Sequence, residues 1–246
     1  MLPLDHIPFQ SADLPRLGKA FEALGFTVSP TGAYTSPDYP EARWSNRCIF
    51  LRQGWFDLLE NSAGDPTVPV TPRACLFRTS DLDAADQAFA DVRTEPPYRL
   101  ERRWDRDLGL PPEAFRLFAV RERIAPVGLA VIEHAWPCHD ILPAWTDHPN
   151  GAVAVTGLVF GDAKPGPAAS PCARRLDLSV FDYLDNDAFD ARYGPLIRQV
   201  VIRVQVRDLS HTAEALNRRG IAHGWREDEL IVPPLAPLGC AFGFRE

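Results

Sequence analysis

One pattern of residues occurs three times in this chain of 246 residues, and that repetition restricts the fold more than any single motif does. Its first occurrence is residues 4–26, LDHIPFQSADLPRLGKAFEALGF. It reads as a strand, a capped helix and a stop. Along the strand, Leu4, His6 and Pro8 share one face while Ile7 and Phe9 share the other, because side chains alternate on an extended chain. Asp13 is suited to cap the orphan N–H groups of a helix beginning at Leu14, and Pro15 fits its first turn. Leu14, Leu17, Phe21 and Leu24 fall on one helical stripe, and Gly25 supplies the left-handed residue that ends it. Ile7 and Phe9 are then expected to pack on the stripe, which leaves His6 facing away from the helix.

The second occurrence opens with a strand at 73–78 and a cap at Ser80-Asp81. Its Leu82, Ala85, Phe89 and Val92 repeat the first stripe at a constant spacing of 68 residues (82 − 14). In the third, Asp208, Leu209 and Gly220 repeat Asp13, Leu14 and Gly25 at a spacing of 195 (208 − 13). Short strand patterns follow each helix: 27–35, 47–52 and 56–60, then 98–104, 115–121 and 128–134, then 229–232 and 239–245. Residues 152–160 are strand-like, 161–173 make a poor helix, and 152–198 read as a truncated copy. A single βαβββ unit leaves one sheet face bare, so the units should pair. The expected fold class is α+β: tandem βαβββ modules whose curved mixed β-sheets pair around a cavity, with helices outside. The expected divisions are a first module over 1–61, a second over 73–138 and a degenerate C-terminal module pair over 152–246, with a Pro-rich linker at 62–72.

Composition removes several classes of function. The net charge is −7, and Lys and Arg are nowhere concentrated into a phosphate-binding face, so a nucleic-acid partner is not expected. No apolar run approaches bilayer length and the N-terminus lacks the pattern of a secretory signal, so no membrane partner is expected either. The five cysteines contain no CxxC pair, which suits reduced, buried thiols in a cytoplasmic protein. No GxSxG elbow, HExxH or Gly-rich phosphate loop occurs.

Several short stretches carry a resemblance: DHIPF at 5–9, EALGF at 22–26, SN at 45–46, FDLLE at 56–60, EHAWP at 133–137 and DHPNGA at 147–152. With the tandem βαβββ pattern, they resemble the glyoxalase-like branch of the vicinal oxygen chelate (glyoxalase/bleomycin resistance/extradiol dioxygenase) superfamily. In that superfamily, first- and fourth-strand residues of paired modules hold a divalent metal. Carried over, the resemblance implies His6, Glu60 and His134 as ligands for zinc, iron, manganese, nickel or cobalt. The first-strand position of the second module is Ala74, and that of the third is Val201, so neither supplies a ligand. Glu60 shares a strand face with Phe56 and Leu58, a face expected to line the cavity. The competing reading is a solvent-facing Glu60 at a strand end and a merely hydrogen-bonded His6.

The resemblance implies a metal-dependent lyase, isomerase or epimerase acting on a small carbonyl or vicinal-oxygen compound through an enolate, with Glu60 also moving a proton. Asn46, Trp136 and His148 are the candidate substrate-binding residues. Asn46 serves equally to finish a turn, and the Asn150-Gly151 pair after His148 equally makes a tight turn. The alternatives are a metal-free protein that sequesters a flat apolar compound and an extradiol-type dioxygenase. The expected partner is a small-molecule substrate or ligand, and a homodimer is the assembly considered.

Overall fold

Leu14, Leu17 and Phe21 are buried in one core cluster with Ile7 and Phe9, as the alternation requires. The computed structural model describes residues 1–41, 43–105, 112–124, 127–134, 142–161, 171–194 and 200–246. The chain begins with β1 (Leu4–Ser11), α1 (Leu14–Ala23), β2 (Gly32–Thr35), β3 (Arg43–Phe50) and β4 (Trp55–Glu60). The same order recurs as β5 (Ala74–Arg78), α2 (Leu82–Ala88), β6 (Tyr98–Trp104), β7 (Glu113–Ile124) and β8 (Val127–His134). After β9 (Ala152–Phe160), β10 (Phe181–Tyr183) and α3 (Asn186–Tyr193) it recurs once more. The third set is β11 (Val200–Val206), α4 (Leu209–Arg218), β12 (Gly224–Arg226), β13 (Glu229–Val232) and β14 (Ala241–Arg245). Asp13, Asp81 and Asp208 each cap the following helix by accepting a backbone N–H three residues on, which satisfies one of the donors every helix start leaves open.

One expected strand is shorter than its sequence pattern. Residues 27–31 lie outside β2 because their polar groups bond elsewhere. The Thr27 N–H donates to a ring nitrogen of His148, and Ser29 clasps Cys48 with both its N–H and its hydroxyl. Cys48, Cys75, Cys172 and Cys240 are buried, and Cys138 lies outside the described residues. Among the described residues no helix is long and apolar enough to cross a membrane.

The first eight strands close into a barrel in the order β1-β4-β3-β2-β6-β7-β8-β5. Parallel pairing sets Ile7 opposite Phe56 and Ser11 opposite Glu60, and the β2–β6 and β1–β5 pairs close the seams. The remaining strands form an open sheet in the order β10-β9-β11-β14-β13-β12. There β10 runs parallel to β9 as β4 does to β1. Among the described residues no counterparts of β2 and β3 lie between β9 and β10, so that sheet does not close. In place of a cavity, α3 lays Phe189 and Tyr193 over a face made by Val159, Val201, Ile231 and Ala241. Barrel and open sheet share one core: Phe21 of α1 meets Phe9, Phe56 and Phe242 at centroid distances of 5.3, 5.6 and 5.7 Å.

Candidate functional site: the barrel cavity

The barrel encloses a cavity of about 530 Å³, within the range of small-molecule sites. Strand alternation builds it. β1 presents His6, Pro8 and Gln10, and β4 presents Trp55, Asp57 and Leu59. Phe56 and Leu58 take the opposite face, in the core beside α1. Leu59, Leu76, Leu100, Leu117 and Ile132 make the walls apolar. The exposed Arg43, Asn61 and Ser62 mark the mouth, with Glu60 and Trp44 beside them, and the buried His6, Tyr34 and Asp57 form the floor.

At the floor, one carboxylate oxygen gathers three donors. Asp5 Oδ2 lies 2.7 Å from His6 Nδ1, 3.0 Å from His134 Nε2 and 3.2 Å from Trp55 Nε1. Strict alternation would turn Asp5 away from His6. The β1–β5 register shifts between Leu4 and His6, and such an irregularity re-aims a side chain. Burial pushes the Asp5 carboxyl up, but the bonds from His134 and His6 outweigh it and hold the group well below the usual carboxylate range. It is therefore ionised and acts as an acceptor only. The His6 ring packs against Trp55 in a tilted arrangement with centroids 4.1 Å apart. With its Nδ1–H on Asp5, the lone pair of Nε2 is left without a partner among the described residues, on a ring that borders the cavity.

A second polar group sits alongside. Asn46 Nδ2 donates to Asp57 Oδ1 at 2.7 Å, and the Tyr34 hydroxyl donates to Asp57 Oδ2 at 3.3 Å. Behind them, buried Arg102 pairs with Glu113 and donates to Cys48 Sγ and the Tyr34 oxygen at 2.8 and 3.4 Å. Burial raises the Tyr34 hydroxyl well above its ordinary value, and the Asp57 charge adds to the effect, so Tyr34 remains a neutral donor. Burial lowers the Arg102 pKa, but its neighbours, Glu113 and Asp57 among them, raise it further and keep the group charged.

The structure brings together two of the three expected metal ligands. His6 and His134 meet across Asp5. Glu60 stands apart, five residues along β4 from Trp55, the neighbour of His6 (60 − 55), which is roughly 16 Å of strand. Its face is the one shared with Phe56 and Leu58, which proves to be the α1 side, and only its place at the strand end brings it to the mouth. His6, Glu60 and His134 therefore do not converge on one point. The imidazole nitrogens aim at a single Asp5 oxygen, and among the described residues no group of three His, Cys, Asp or Glu is arranged to hold a metal.

The other expected residues divide. Asn46 is buried inside β3 against Asp57, not at a turn. His148 lies outside the barrel cavity and is spent on backbone: Nδ1 accepts from the Thr27 N–H and Nε2 donates to the Phe50 carbonyl. Trp136 lies outside the described residues. Ala74 lines the cavity and Val201 packs beneath α3, at the positions His6 occupies in the first repeat. Sequence reasoning missed Asp5, Tyr34, Trp55, Asp57 and Arg102. Trp55 and Asp57 alternate with Leu59 one residue out of phase with Glu60, a signal present in the sequence once the inner face of β4 is known.

The model of the Glyoxalase-like domain family matches residues 4–176. Comparison with curated proteins gives no match. Among solved structures, a variant of 4-hydroxymandelate synthase from Streptomyces coelicolor has the same fold, with a TM-score of 0.56 at 11% identity over 99% of this chain and 92% of that one. A methylmalonyl-CoA epimerase variant from the same organism gives 0.36 at 20% identity, over 55% of this chain and 100% of the other. A xylose isomerase-like TIM barrel/4-hydroxyphenylpyruvate dioxygenase fusion protein gives 0.47 at 13% identity, over 98% of this chain and 48% of that one. The latter two scores are too low to carry an argument.

Proposed function

This chain belongs to the glyoxalase-like domain family, and from that premise we propose that it moves a proton on a small carbonyl compound held in the barrel, as a lyase, isomerase or epimerase would. The observation that carries this reading is the His6–Asp5 pair, with Nδ1 fixed 2.7 Å from the carboxylate and Nε2, beside the cavity, unpartnered among the described residues. A base held in one tautomer by a buried carboxylate is poised to accept a proton from carbon. In this reading His6 Nε2 takes a proton from the carbon next to the carbonyl, and Asp5 stabilises the imidazolium that forms. Tyr34, a neutral donor on the same floor, reaches the developing enolate oxygen by turning its hydroxyl from Asp57 Oδ2, 3.3 Å away. His134 and Trp55 hold Asp5 in place. The divalent metal implied by the resemblance has no matching donor set at the expected residues, since Glu60 is remote and both imidazoles face Asp5. No step is assigned to it.

The test is proton exchange. Ketones, aldehydes and acyl thioesters are incubated with the protein in deuterium oxide, and deuterium entry next to the carbonyl is followed by NMR. His6→Gln should slow exchange about a hundredfold or more while tryptophan fluorescence still reports ligand binding. Wild-type protein that binds such compounds without exchanging them would refute the proton-transfer reading. The sequestration reading would then stand, favoured by the apolar walls and by Trp44 and Tyr98 in the cavity lining.

A further inference from the structure

The charges around the cavity are unevenly placed. Among the described lining residues the one fixed cation is Arg43, exposed at the mouth. The other arginine nearby, Arg102, is 2% exposed and lies behind the floor. Its two terminal nitrogens are committed to Glu113, Cys48 and Tyr34, while its buried Nε has no partner among the described residues. It also sits within 4.7–5.8 Å of the ring centroids of five aromatic residues, Trp104 the nearest. The floor itself presents the Asp57 carboxylate. Among the described residues Oδ2 of Asp57 holds only the 3.3 Å contact from Tyr34, so it retains capacity to accept from a ligand. A carboxylate carried to this floor would lose its hydration, meet no available counter-ion among the described residues and face a like charge.

We infer that the cavity selects compounds uncharged at the end that reaches the floor: neutral ketones, aldehydes or vicinal diketones on an aryl or branched alkyl body. An acid group, where a ligand has one, belongs at Arg43. This rests on the reading of the cavity as the reaction site and narrows its substrate class.

Acetylbenzoyl and benzoylformate are a matched pair of probes, identical except that a methyl group replaces a carboxylate oxygen. Isothermal titration of the wild-type protein at about pH 8 should show acetylbenzoyl binding about tenfold tighter or more. Asp57→Asn should narrow the gap by improving benzoylformate binding. The wild-type comparison stands alone if that variant fails to fold. Benzoylformate binding as tightly as acetylbenzoyl, or neither compound binding, overturns the inference. Equilibrium binding requires no proton transfer. A neutral preference without deuterium exchange therefore removes the proposed reaction alone, and exchange in a cavity that prefers the acid removes this inference alone.

Discussion

His148 has its two ring nitrogens committed to opposite roles: one accepts from Thr27 and the other donates to Phe50. That arrangement needs the neutral ring, and burial lowers its pKa below the ordinary 6.5. The unfolded chain therefore takes up the proton first as pH falls. The stabilisation is complete above the ordinary value and is lost as pH drops through the folded one. Melting temperature should fall on acidification from about pH 7.5 to 5.5, and His148→Gln should flatten that slope; a slope unchanged in the variant would contradict the assignment. Asp5 acts in a different window, because its depressed pKa confines its loss to strongly acid solution. The inward direction of His6 was legible from alternation and from the stripe on α1. Asp5 was not, since a local register shift breaks the rule that would have placed it. Glu60 shows the limit from the other side: its companions Phe56 and Leu58 were identified correctly, but which face of β4 meets the cavity depends on pairing with β1, a long-range quantity.

The join between α1 and the strand that opens the second half turns on Gly25. Its φ is +86°, and a Cβ there would come within 2.9 Å of the Asn150 side chain. Asn150 reciprocates by donating its side-chain amide to the Leu24 carbonyl and its N–H to the Gly25 carbonyl. Gly25→Ala should therefore destabilise by more than about 1 kcal/mol, from backbone strain and from displacing Asn150, as read by urea denaturation. Gly25 as the helix stop was plain in the sequence; Asn150 as its partner, 125 residues on (150 − 25), was not. The bounds of β6, β9 and β13 follow the sequence pattern because alternation and turn residues are local. β2 falls short of its pattern because Ser29 and Thr27 bond to groups remote in sequence.

At the scale of the molecule, the shared aromatic core makes barrel and open sheet interdependent. Phe21→Ala removes a ring that touches Phe9, Phe26 and Phe56 on one side and Phe242 on the other. The cost should be about 3–5 kcal/mol, and unfolding should remain a single transition; separate transitions for the two halves would show that the core does not couple them. The repeated strand–helix pattern made the α+β architecture readable before any coordinates. It did not reveal that one half closes around a cavity while the other is filled by α3, because that depends on how many strands reach each sheet. Closure also governs traffic. The described barrel strands are hydrogen-bonded all the way round, so in the proposed reaction a compound would travel to His6 along the axis and its product would leave the same way. Occupancy would then be exclusive, with product and substrate competing for a single berth.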